Sequence, residues 1–128
     1  MSRHTIVNLK QIEVGEAART AGIDAHFARS HMESEHLGIS YFKYPASVRT
    51  TTGHHHREQE EAYIVIGGSG QVTLDDEVFD LSPWDVVRVA PDVVRAFRPG
   101  PDGLEVIVVG SDRPEGGDGT VVKDWWTD

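Results

Sequence analysis

A chain of 128 residues falls in the size range of one domain built on one hydrophobic core. Its 21 acidic against 12 basic residues give a formal charge of -9, which argues against nucleic acid and anionic membrane as partners, because phosphate-binding surfaces carry a basic stripe. With no cysteine, disulfides, thiolate catalysis and Cys-ligated zinc or iron–sulfur centres drop out, and any metal must sit on His, Asp or Glu.

No run approaches the roughly 18 apolar residues of a membrane span, so a soluble, cytoplasmic protein is expected. Residues 1–36 read as an amino-terminal extension packing on the main body. Within it Val14, Ala17, Ala18 and Ala21 are spaced for a short helix, Gly22 breaks it, and Asp24 is placed to cap a second helical turn. His4, His26, His31 and His36 lie in this segment without a ligand-like spacing and read as exposed.

After Ser34 the pattern changes to short apolar, β-branched or aromatic segments. Seven strands are predicted, over Leu37–Tyr44, Ala62–Ile66, Gln71–Leu74, Glu77–Leu81, Asp85–Val89, Val93–Phe97 and Leu104–Val109. Turn chemistry separates them: Gly67-Gly68-Ser69-Gly70, Asp75-Asp76, Ser82-Pro83, Pro91-Asp92 and Pro99 to Gly103. Such punctuation predicts an all-β closed barrel or jelly roll over residues 37–110, an arrangement that limits exposed sheet edges. Trp84, after Pro83, reads as a packing residue. The tail 111–128 is Gly- and Asp-rich and then carries Val121, Val122, Trp125 and Trp126, so it is expected to dock on the barrel or on a second subunit. There is no internal repeat and no linker between two cores.

The informative segment is His54-His55-His56-Arg57-Glu58-Gln59-Glu60-Glu61, which runs directly into the apolar strand Ala62-Tyr63-Ile64-Val65-Ile66. Residues two apart on an extended strand share a face, so His54 and His56 can converge on one ion while His55 points away. Two imidazoles and a carboxylate with open positions suit iron, manganese, nickel, copper or zinc. By spacing alone, a solvated His-rich loop beside an acidic run accounts for the segment equally well.

His54-x-His56, four residues, Glu61, six residues and Gly68 resemble the first motif of the cupin superfamily, HxH, three or four residues, Glu, six residues, Gly. Glu61 is preferred to Glu60 because it gives the six-residue step to Gly68, although Gly67 would suit Glu60. The resemblance spans about Leu37 to Val109. It implies a double-stranded β-helix, or jelly-roll barrel, of two facing antiparallel sheets, with the motif residues in its mouth and a homodimer as the assembly.

The second cupin motif reads Gly, five residues, Pro, x, Gly, two residues, His, three residues, Asn, and its His is the fourth metal ligand of the family. Here the matching positions are Trp84, Ala90, Asp92, Arg95 and Pro99. Arg95 is a cation with donors only and cannot ligate a metal. A divalent ion about 5 Å from it would be repelled by roughly 6 to 7 kcal/mol at an effective dielectric near 20. Two arrangements remain: a three-ligand metal site in which Arg95 holds a carboxylate or phosphate of the substrate, or a metal-free pocket in which Arg95 pairs with Glu61. The first is favoured, because buried imidazoles need partners for their nitrogens.

Tyr63, Val65 and Phe97 share strand faces with Glu61 or Arg95, and Tyr63 and Phe97 join Arg95 as expected substrate contacts. Arg49, Arg57, Arg88 and Arg98 read as ordinary surface charge. The expected function is a small-molecule cupin with a divalent metal, acting as an oxygenase, isomerase or lyase on a small anionic substrate. The alternative is a non-catalytic, metal-free binding or sensing module. Metal-free acid–base catalysis with His54 or His56 as base and Tyr63 as acid is a third, but no spacing identifies a His–Asp pair for it.

Overall fold

A computed structural model describes residues 3–126. The amino-terminal segment forms a 3-10 turn at Leu9–Gln11, closed by the Asn8 side chain accepting from Lys10 N, and the short helix α1 (Glu16–Thr20). Eight strands follow: β1 (Asp24–Phe27), β2 (Gly38–Tyr44), β3 (Gly53–His56), β4 (Glu61–Leu74), β5 (Glu77–Leu81), β6 (Val86–Val89), β7 (Arg95–Gly110) and β8 (Gly119–Val122). All pairings are antiparallel, and the main path runs β1-β2-β7-β3-β8, while β4 pairs with β5, β6 and β7. The result is the all-β jelly-roll barrel that the strand pattern predicts, with almost no helix.

Two long strands, β4 and β7, replace four of the predicted short ones. The glycine clusters expected to end strands instead bend them. Between Val65 and Gly70 the β4–β7 register shifts twice, and the buried positions change from odd (Tyr63, Val65) to even (Val72). A bulge adds a residue to one strand and so flips the facing side chains, which lets one strand follow the curl of the sheet. Gly68 is where this bend needs glycine. Its φ is +72°, and a Cβ there would lie 2.1 Å from the Gly103 carbonyl oxygen.

The eight strands form one continuous sheet that curls on itself, in place of the two separate facing sheets expected, and the core lies inside the curl. Val65, Val72, Val89, Leu104 and Val106 are fully buried, and Tyr44, Tyr63 and Phe97 complete it, with the Tyr63 and Phe97 rings 4.5 Å apart. Burying a Val or Leu side chain contributes roughly 1.5–3 kcal/mol, so this cluster holds the barrel closed.

Four expectations need correction. Asp24 caps no helical turn; it starts β1, whose Ala25 and His26 are buried against β2. His26 is therefore not exposed, and its Nδ1 lies 2.6 Å from the Ile12 carbonyl oxygen. Trp84 does not pack: it is 76% exposed, and it takes a φ of +75° at the position where the second cupin motif has glycine. Arg98 is buried, donating to Trp126 O at 2.6 Å and Thr50 O at 3.3 Å with its guanidinium 4.3 Å from the Trp126 ring centroid. Tail residues 119–122 pair with β3, and Trp125 Nε1 donates to Thr73 Oγ1 at 3.2 Å.

Gly68→Ala should destabilise the fold by about 2–3 kcal/mol in urea unfolding, through positive-φ strain and the clash with Gly103. A loss under about 0.5 kcal/mol would show that the bend does not need glycine. Arg98→Ala should cost about 2–4 kcal/mol by removing charge-assisted bonds and the stacking on Trp126. A change typical of an exposed arginine, within about 0.5 kcal/mol, would contradict its place in the packing.

Candidate metal centre

β3 is a short strand held on both edges. On one side His54 faces Arg95 of β7; on the other, all four of its residues pair with β8, from Gly53↔Val122 to His56↔Gly119. His56 N also donates to Pro91 O at 2.7 Å. Glu61 opens β4 between Val89 of β6 and Gly110 of β7. These pairings bring His54, His56 and Glu61 together, with one ligand atom from each lying within 4.8 Å of the others, so the three could hold a metal ion. His55 stays outside this group, as the two-residue period requires. Glu60 points elsewhere and pairs with the exposed Arg88 at 2.7 Å.

The cluster converges on one atom. Glu61 Oε1 accepts from the Tyr63 hydroxyl at 2.5 Å and lies 3.3 Å from His56 Nε2, 3.6 Å from His54 Nε2 and 3.7 Å from Arg95 Nη2. Burial alone would raise the Glu61 pKa, but the two imidazoles and the Tyr63 hydroxyl outweigh it and hold the carboxyl well below the usual range. Burial and the neighbouring Glu61 charge push the Tyr63 hydroxyl well above its ordinary value. It stays a proton donor. The His54 and His56 rings sit edge to face with centroids 5.1 Å apart.

His56 has a second carboxylate that spacing did not reveal. Its Nδ1 lies 2.8 Å from Asp118 Oδ1, and the other Asp118 oxygen accepts from Glu58 N at 2.6 Å and Gln59 N at 2.9 Å. Burial would raise the Asp118 pKa, yet these bonds lower it from 3.8 to about 2. An ionised carboxylate only accepts, so His56 donates from Nδ1. Nε2 then faces Glu61, and it is buried with no hydrogen-bond partner, the 3.3 Å approach to Glu61 being poorly directed. Glu61 raises the His56 pKa most, burial opposes it, and Asp118 adds to it. His56 and Asp118 stand 62 positions apart, so no local spacing marks them as a His–Asp pair. The hint available was an aspartate among Gly116, Gly117 and Gly119 in a stretch that otherwise reads as loop.

Arg95 is fully buried beside this group. Its Nη1 donates to Val93 O at 3.0 Å and Pro91 O at 3.3 Å, and its Nη2 reaches Ala90 O at 3.5 Å. The Nε–H has no partner. A cavity of about 620 Å³ opens next to the cluster, and His54, His56, Glu61, Tyr63, Arg95 and Phe97 all line it. Val65 belongs to the core.

The family profile described as cupin domain matches residues 40–110, more than half of the chain. No curated protein sequence matches it. Among solved structures, a cupin protein from Bacteroides fragilis is 20% identical and superposes with a TM-score of 0.70, covering 100% of this chain and 99% of that one. A nucleoside dehydratase whose structure and mechanism are described gives a TM-score of 0.71 at 14% identity, over 94% of this chain and 92% of that chain. A variant of that same dehydratase, from Streptomyces and solved with uridine, gives the same TM-score at 13% identity, over 93% of this chain and 91% of that one. A DMSP lyase from Ruegeria pomeroyi gives 0.64 at 15% identity, over 94% of this chain and 60% of that one. At these identities the likeness is one of fold. Together with the HxH, Glu and Gly68 motif set on a jelly-roll barrel, the matched profile places the chain in the cupin superfamily.

Proposed function

We propose that this cupin binds a divalent metal ion through His54, His56 and Glu61 and acts on a small anionic molecule held in the adjoining cavity, as an oxygenase, isomerase or lyase. The observation that carries the reading is the buried His56 Nε2, which lacks a hydrogen-bond partner and faces a carboxylate oxygen 3.3 Å away. Two nitrogen lone pairs and an ionised carboxylate form a donor set suited to iron, manganese, nickel, copper or zinc. Held by His54, His56 and Glu61, such an ion would supply Lewis acidity toward an oxygen-bearing substrate.

The remaining residues take defined parts in this reading. Tyr63 donates to Glu61 and so fixes the carboxylate, while the Tyr63 and Phe97 rings wall the cavity. Nη1 of Arg95 is engaged by the carbonyls of Val93 and Pro91, while its Nε–H has no partner and its Nη2 makes only the 3.5 Å contact with Ala90 O, so these two nitrogens are the ones left to meet an anion. In this reading Arg95 contributes its charge and those N–H groups to an anionic substrate from the cavity wall that it shares with Glu61. The similarity in fold to a nucleoside dehydratase and a DMSP lyase agrees with small-molecule chemistry in such a barrel.

A second reading rests on a different feature. With Asp118 on one side and Glu61 on the other, a protonated His56 is well stabilised without a metal, and Arg95 then balances Glu61. That arrangement suits metal-free acid–base work by His56 and Tyr63 or simple ligand binding.

Elemental analysis of untagged protein decides between them. About one equivalent of a transition metal per chain is expected after soaking and dialysis, with a melting temperature that rises with metal concentration, and His56→Ala should lose both. Less than about a tenth of an equivalent in the wild type would overturn the metal reading.

A further inference from the structure

Residue 118 is bound to four successive residues, His56 to Gln59, on the stretch that joins β3 to β4. Its side chain, fully buried, meets His56 Nδ1, Glu58 N and Gln59 N, and its own carbonyl oxygen accepts from Arg57 N at 3.3 Å. Immediately after it, β8 covers the whole outer edge of β3, and the chain is then anchored by Trp126 N on Thr51 O at 3.0 Å and by Trp125 on Thr73. β3 pairs with β7 at one position only, so its orientation depends on this strap.

We propose that Asp118, carried by the carboxy-terminal strap β8, is a positioning residue that fixes the tautomer of His56 and thereby sets the metal affinity of the site. The inference rests on the metal reading for its affinity arm and on geometry alone for its tautomer arm. An imidazole that donates from Nδ1 keeps the Nε2 lone pair free, and a carboxylate holding the far nitrogen of a metal-ligating histidine both orients the ring and increases its basicity. No other described side chain is hydrogen-bonded to His56 Nδ1.

Asparagine at 118 separates positioning from mere packing. Its single carbonyl oxygen is drawn to the two backbone N–H groups of Glu58 and Gln59, which leaves the NH2 facing His56. A donor in that place reverses the tautomer, so the proton moves to Nε2 and blocks the metal-facing lone pair.

Nitrogen-15 NMR of the histidine rings in metal-free protein at alkaline pH tests this, together with calorimetric titration of Zn2+. The wild type should carry the His56 proton on Nδ1, Asp118→Asn should carry it on Nε2 with an otherwise similar spectrum, and Asp118→Glu should restore Nδ1. Zn2+ affinity should fall roughly 10- to 100-fold in Asp118→Asn and partly recover in Asp118→Glu. A wild type protonated on Nε2 overturns the proposal without any variant, so a failure of Asp118→Asn to fold would not shield it. An unchanged tautomer in a folded Asp118→Asn, or an affinity within about threefold of wild type, overturns it as well. If the wild type takes up no Zn2+, the metal reading fails separately, and the tautomer result alone decides whether Asp118 positions His56.

Discussion

One carboxylate oxygen organises this site. Glu61 Oε1 stands within 3.7 Å of nitrogens from His54, His56 and Arg95 and accepts from the Tyr63 hydroxyl. An ionised carboxylate removed from bulk water is costly unless donors and cations surround it, and here those partners come from β3, β4 and β7. The barrel closure that brings these strands together is therefore also what makes the buried charge tolerable. Site and fold are coupled through the same residue, since Tyr63 both donates to Glu61 and packs on Phe97 in the core.

The parts of the fold that follow from local chemistry were readable in the sequence. Alternation and β-branched residues mark seven segments between Leu37 and Val109, and the HxH spacing puts His54 and His56 on one face because the strand period is two, but β1, β3 and β8 lie outside those segments. What local chemistry could not show was continuity. Gly67–Gly70 and the segment from Pro99 to Gly103 carry turn residues, yet each bends a single long strand instead of ending it, because the bulged ladder between β4 and β7 continues through them. Asp24 shows local propensity giving way to tertiary pairing: aspartate suits a helix cap, but pairing with Lys43 on β2 decides its conformation.

Long-range partners were the other blind spot. His26, Arg98 and Asp118 are polar residues in unremarkable local sequence, and each is buried by a contact whose partner is far away in the chain. A buried polar group needs a hydrogen-bond partner, but sequence spacing cannot say which distant residue supplies it. The tail is the clearest case, since a Gly- and Asp-rich stretch holds the carboxylate that meets His56. The departures at the second motif also take on a physical sense. Arg95 occupies the fourth-ligand position but turns its Nη donors to the carbonyls of residues 90–93, bracing the β6–β7 turn, and Trp84, at the motif's glycine position, takes a left-handed backbone.

The account stands on His54, His56 and Glu61 acting as one ligand set in the presence of the Arg95 charge. Anomalous X-ray diffraction from a crystal soaked in Zn2+ or Mn2+ tests it directly. A peak about 2.0–2.3 Å from His54 Nε2, His56 Nε2 and a Glu61 oxygen is the predicted result. A well-ordered cluster with no anomalous peak, and with Arg95 or a protonated His56 closing on Glu61 instead, would contradict it.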